Sequence, residues 1–112
     1  MSPAVLRIAG LPAGAIEAAA AFYGEWLQQA THLLAGGNPV AIVMEPAPYD
    51  HTDWRRAAAR DLARSAAPAR VNIVAGDDEP AIAATLAFLE SASGVTGQYL
   101  PLTRQRSGEA AR

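Results

Sequence analysis

Val40-Ala41-Ile42-Val43-Met44 is apolar at every position and follows the breaker Gly36-Gly37-Asn38-Pro39. A strand without apolar–polar alternation is covered on both faces, the condition of a strand inside a parallel sheet. Working outward, Val5-Leu6-Arg7-Ile8-Ala9-Gly10, Val71-Asn72-Ile73-Val74 and Gln98-Tyr99-Leu100-Pro101-Leu102 read as three more strands. Helical patterns lie between them. From about Ala13 to Ala35, residues Ile16, Ala19, Ala20, Tyr23, Leu27, Ala30 and Leu34 recur at helical spacing, with Phe22, Trp26 and Leu33 beside that stripe. A second helix runs from about Asp53 to Ala66, with Thr52 or Asp50 as its N-cap. A third runs from Ala81 to about Ser91, and the acids of Asp77-Asp78-Glu79 suit its positive end. Strands alternating with helices predict an α/β domain over residues 1–102 with a mostly parallel sheet of about four strands. Thr103 to Arg112 is polar and without periodicity, which predicts a flexible tail.

Composition narrows the function. The chain has 112 residues, 51% of them hydrophobic, enough for one folded domain. Its net charge of −2 with scattered arginines argues against nucleic acid as a partner. Cysteine is absent, which removes disulfides, thiol catalysis and cysteine-ligated zinc, and suits a reducing cytoplasm. No apolar run approaches the roughly 20 residues of a membrane helix, and no charged-then-apolar leader opens the chain. Every basic side chain other than histidine is Arg and alanine is abundant, as in a GC-rich bacterial coding bias; lysine is absent altogether.

The motifs resemble the second half of the short-chain dehydrogenase/reductase family. Ala81 to Ser91 resembles that family's "eiA.av.FLaS" helix, and Val95-Thr96-Gly97-Gln98 resembles its "vTGq" turn. Upstream, Ala63, Ala67-Pro68 and Arg70-Val71-Asn72 resemble "lA.e.a..girVN", Gly24-Glu25-Trp26-Leu27 with Ala30 resembles "g.f...qa", and Val5-Leu6 with Ala9-Gly10 resembles "lVnnAG". The resemblance runs colinearly over about residues 4 to 102 and implies a truncated Rossmann-like three-layer fold. It also implies an Asn-Ser-Tyr-Lys active site, and the positions that should carry it do not. Ala21 stands at the asparagine, Glu45 or Pro46 at the serine, Pro48 or Tyr49 at the tyrosine, and Thr52 or Asp53 at the lysine. Tyr49 is the one weak catalytic candidate, and an aspartate at the lysine's spacing opposes a phenolate instead of favouring it. The family's glycine-rich dinucleotide turn lies in a βα unit before the matching region. Gly10-Leu11-Pro12-Ala13-Gly14-Ala15-Ile16 imitates that turn weakly, with Ile16 at its third glycine, and reads as a strand-to-helix turn. No cofactor is therefore expected.

The remaining candidates have plain readings beside functional ones. Glu45, Tyr49, Asp50, His51 and Asp53 crowd the loop after the second strand, where α/β folds place ligands. A carboxylate–histidine pair there would serve as general base or metal ligand; a polar loop with a capping residue is the plainer reading, and with His32 far along the chain no metal site is expected. Arg55, Arg56, Arg60 and Arg64 read as a solvated or partner-facing side of their helix, not an anion site. Trp26 and Trp54 read as core or interface anchors. In the family, the helices matching residues 15 to 34 and 53 to 66 form the dimer contact. The expectation is a noncatalytic protein that works by association, as a homo-oligomer or with a full-length reductase, through Phe22, Tyr23, Trp26, Leu27, Leu33 and Trp54. The alternative is a subunit of an NAD(P)-dependent oxidoreductase of ketoreductase type, completed by a partner chain.

Overall fold

The computed structural model describes residues 2–102, and the predicted tail at 103–112 lies outside them. Four strands, β1 (Ala4–Ile8), β2 (Val40–Met44), β3 (Val71–Ala75) and β4 (Tyr99–Pro101), form one sheet in the order β1-β2-β3-β4. Every pairing is parallel, with Leu6 opposite Ile42 and Ile42 opposite Ile73. β2 and β3 are buried at every residue, as unbroken apolar runs require. This is the predicted Rossmann-like α/β architecture.

Helices α1 (Ala15–Ala21), α2 (Leu27–Ala35) and α3 (Thr52–Ala66) cover one face, where Leu6, Ile8, Ile42, Met44 and Ile73 meet Phe22, Ala30, Leu34 and Leu62. Helix α4 (Glu79–Ser91) covers the other, placing Ile82 and Leu89 on Ala41, Val43 and Val74. The strands advance in one direction across the sheet while α4 changes face. The β3–α4–β4 connection therefore has the opposite hand to the two before it, an exception to the near-universal right-handed crossover.

The long helix expected from Ala13 begins at Ala15, and a π-helical turn at Phe22–Trp26 joins α1 to α2. A π turn closes i→i+5 bonds and takes up an extra residue, so it rotates everything that follows. The buried set is consequently Ala18, Phe22, Ala30 and Leu34, while Ile16, placed on the apolar stripe by constant spacing, is 82% exposed. The expected Thr52 or Asp50 cap is also absent. A 3₁₀ turn at Tyr49–His51 runs directly into α3, and no side chain caps its first turn.

The turn Val95-Thr96-Gly97-Gln98 is bolted to β3. Asn72 donates from Nδ2 to the Val95 carbonyl at 3.1 Å and accepts the Gln98 N–H at 3.1 Å. Thr96 Oγ1 accepts the Val71 N–H at 3.1 Å, and the Gly97 N–H reaches the Val71 carbonyl at 2.8 Å. Arg70 closes the end of α4 by donating to the carbonyls of Leu89 and Ala92 at 3.0 and 2.9 Å.

Candidate functional site

The C-terminal ends of β1 and β2 open into a cavity of about 180 Å³ walled by Leu11, Ala13, Glu45, Pro48, His51 and Arg55 among others. This is the end of a parallel sheet at which ligands bind. The volume lies below the roughly 300 Å³ at which drug-sized ligand sites begin. Glu45 Oε1 accepts the Gly10 N–H at 3.1 Å, which ties the two strand ends together.

His51 is 2% exposed and both of its ring nitrogens are engaged. The Trp54 indole N–H donates to Nδ1 at 3.1 Å, so the ring proton sits on Nε2, 2.9 Å from the Ala13 carbonyl. A histidine held this way positions the loop before α1 and has no lone pair to offer as base or ligand. Its rings continue a row in which Trp54 lies 5.6 Å from Phe22, and Phe22 lies 5.2 Å edge-on from Tyr23. Burial, and secondarily the charge of Asp61, pushes the Tyr23 phenol above its usual value.

Arg55 corrects the sequence reading. It is not on a solvated side: it is 3% exposed and lies on the buried stripe of α3 with Ala58, Ala59 and Leu62. Its Nη1 donates to the Glu45 carbonyl at 3.0 Å and to the Tyr99 hydroxyl at 3.3 Å. The guanidinium carbon stands 5.6 Å from the Trp54 ring centre and 5.9 Å from that of Tyr99. Neither ion pair resolved among the described residues, Arg7–Glu79 or Arg64–Asp61, involves it, and its Nε is buried without a hydrogen-bond partner. Removing an ion from water costs several kcal/mol unless a counter-charge compensates; aromatic faces return about 0.5–2 kcal/mol each. The spacing 55, 58, 59, 62 was the available signal, since it places Arg55 on the helix's apolar side.

The other sequence candidates do not converge. Tyr49 is 88% exposed and does not line the cavity, and Asp50 and Asp53 are exposed. Among the described residues no group of three or more His, Asp or Glu is placed to hold a metal. Of the expected interface residues, Phe22 and Trp54 belong to the aromatic row; Phe22 is wholly buried and has no surface for a partner. Trp26, Leu27 and Leu33 are half-buried against the same core, and Tyr23 is exposed. The π turn is the reason: it turns Phe22 inward.

A nicotinamide dinucleotide does not fit the residues present. The Gly10–Ile16 turn leads into a helix of seven residues whose first turn already carries Glu17, its carboxylate lying over Gly14. Helix α4 also begins with an acid, Glu79. The charge of Glu17 disfavours a pyrophosphate at the start of α1, and the start of α4 is already occupied by Glu79 in its ion pair with Arg7. No helix among the described residues is long and apolar enough to cross a membrane.

An all-parallel sheet with helices on both faces and a cavity at its C-terminal edge defines a Rossmann-like protein. The family model described as short chain dehydrogenase-like protein matches residues 6–102, and the chain belongs to that family. Comparison with curated proteins and with solved structures gives no match.

Proposed function

We propose that the chain is a noncatalytic member of this family whose work is association, with a second copy of itself or with a full-length short-chain reductase. The outer edge of β1 carries this reading. Among the described residues β1 pairs with β2 alone, so one row of its backbone groups faces outward without a described strand beside it. On the α4 side of that edge Val5 is 42% exposed. On the other side Leu6 and Leu33 floor a groove of about 590 Å³, rimmed by Glu25, Gln28, Gln29 and His32. The far edge of the sheet is different: β4 has three residues and ends in Pro101, features that blunt an edge. One edge is protected and the other is suited to receive a strand.

The noncatalytic half of the proposal rests on the residues themselves. Ala21 stands where the family resemblance asks for asparagine, Tyr49 is exposed and does not line the cavity, and the sequence contains no lysine to pair with it. The test is light scattering on the purified chain at micromolar concentration, alone and mixed with a full-length reductase of the family. A dimer or a mixed complex is expected. A folded chain that stays monomeric in both experiments overturns the proposal.

A further inference from the structure

We infer that the cavity between β1 and β2 is a binding site for a small carboxylic acid that also carries a hydrogen-bond donor, with Arg55 as its anion-recognising residue. The inference rests on Arg55 and is independent of the proposed association. The guanidinium is 3% exposed, lies on the cavity wall, and takes part in neither resolved ion pair. Nη1 donates to the Glu45 carbonyl and the Tyr99 hydroxyl, and Nε is buried without a partner. The Nε–Nη2 side of an arginine matches the two oxygens of a carboxylate in a fork-to-fork pair. Presenting that side to a ligand requires the guanidinium, which lines the cavity, to reorient and exchange its Nη1 bond to the Glu45 carbonyl for the ligand's carboxylate.

Size and charge restrict the ligand. About 180 Å³ admits a short organic acid and excludes a nucleotide. Glu45 lines the same cavity and adds a negative charge, with Oε1 held by the Gly10 N–H. A doubly charged phosphate meets more repulsion from it than a carboxylate does. A hydroxyl or ammonium group next to the ligand's carboxylate would satisfy Glu45 while the carboxylate satisfies Arg55. Pro48, Leu11 and Ala13 supply the apolar remainder of the wall.

The experiment is an NMR titration of the whole chain with acetate, glycolate and inorganic phosphate against matched sodium chloride, following the Arg55 Nε–H and the Trp54 indole N–H. Saturable shifts of both signals are expected with glycolate at a dissociation constant on the order of 1–10 mM. Acetate is expected to bind several-fold more weakly, and phosphate more weakly still. Arg55→Lys should abolish the response; because that change touches the core, Glu45→Gln provides a second reading. Its amide oxygen still accepts the Gly10 N–H, the repelling charge is gone, and acetate should bind several-fold tighter than to the wild type. No saturable shift with glycolate or acetate in either the wild type or Glu45→Gln overturns the inference, as does tighter binding of phosphate than of glycolate.

Discussion

Gly97 shows how a family motif acts here as structure. Its φ is +72°, and a Cβ at this position would lie 3.1 Å from the Ala63 Cβ on α3. Left-handed backbone costs a non-glycine residue about 1–2 kcal/mol, and overpacking against a helix adds about 1–3 kcal/mol. Gly97→Ala should therefore lower the urea midpoint markedly. Gly94→Ala, where a Cβ meets nothing within 4 Å, should leave it nearly unchanged. Tyr23 makes a prediction in pH. Its folded phenol is held above the ordinary value of 10.0, first by burial and then by Asp61. Near pH 10 the unfolded chain begins to lose this proton while the folded chain keeps it. The stability Tyr23 contributes is complete below pH 10 and is lost as pH rises through its folded value. Denaturant midpoints should fall with pH above 10, and Tyr23→Phe should flatten that fall. At this scale the sequence disclosed the motif but not the partners: nothing in Arg55 itself distinguishes it from Arg56, and only its position relative to Ala58, Ala59 and Leu62 does so.

Among the elements, strands were the easier to read. β2 and β3 are bounded by breakers and apolar throughout, and a covered strand leaves no phase to mistake. The first helix was mistaken because its reading assumed a constant period. The π turn at Phe22–Trp26 inserts an extra residue, turning Phe22 inward and leaving Ile16 and Tyr23 outside. No local composition announces such a turn, since its cost is met by packing Phe22 between the sheet and Trp54. Helix starts carry the third prediction. Glu17 on α1 and Glu79 on α4 occupy positive helix ends at which a phosphate would otherwise be favoured. Isothermal titration of the chain with NAD(H) and NADP(H) should give no heat of binding below the millimolar range. A sub-millimolar dissociation constant would show that a phosphate displaces these acids, and would restore the oxidoreductase-subunit reading.

For the whole molecule, the sequence supplied the order and class of elements but could not supply the face on which α4 lies. The general crossover rule puts every helix of a sheet advancing β1-β2-β3-β4 on the same side, and α4 departs from it. That departure matters for association. It leaves three helices on one face and α4 alone on the other, so β1 is thinly covered on the α4 side and Val5 reaches solvent beside the free edge. A two-fold dimer through this edge would run β1 antiparallel to its copy and join two sheets into one, each Val5 being buried by symmetry. The helix face indicated by the sequence makes a different demand, because with Phe22 inside it offers Ile16 and Tyr23. Three variants separate the two. Lysine on an edge strand blocks strand addition, and losing roughly 1–2 kcal/mol of apolar burial in each copy weakens a symmetric dimer about thirty- to a thousandfold. Val5→Lys should therefore be monomeric by light scattering where the wild type is dimeric. The double variant Ile16→Glu with Tyr23→Glu should still dimerise, as should Phe88→Lys on the exposed side of α4. Dimers of Val5→Lys together with monomers of the Ile16 and Tyr23 double variant would move the interface to the helices, and would return β1's edge to the status of a strand guarded by Arg7 and its ion pair with Glu79.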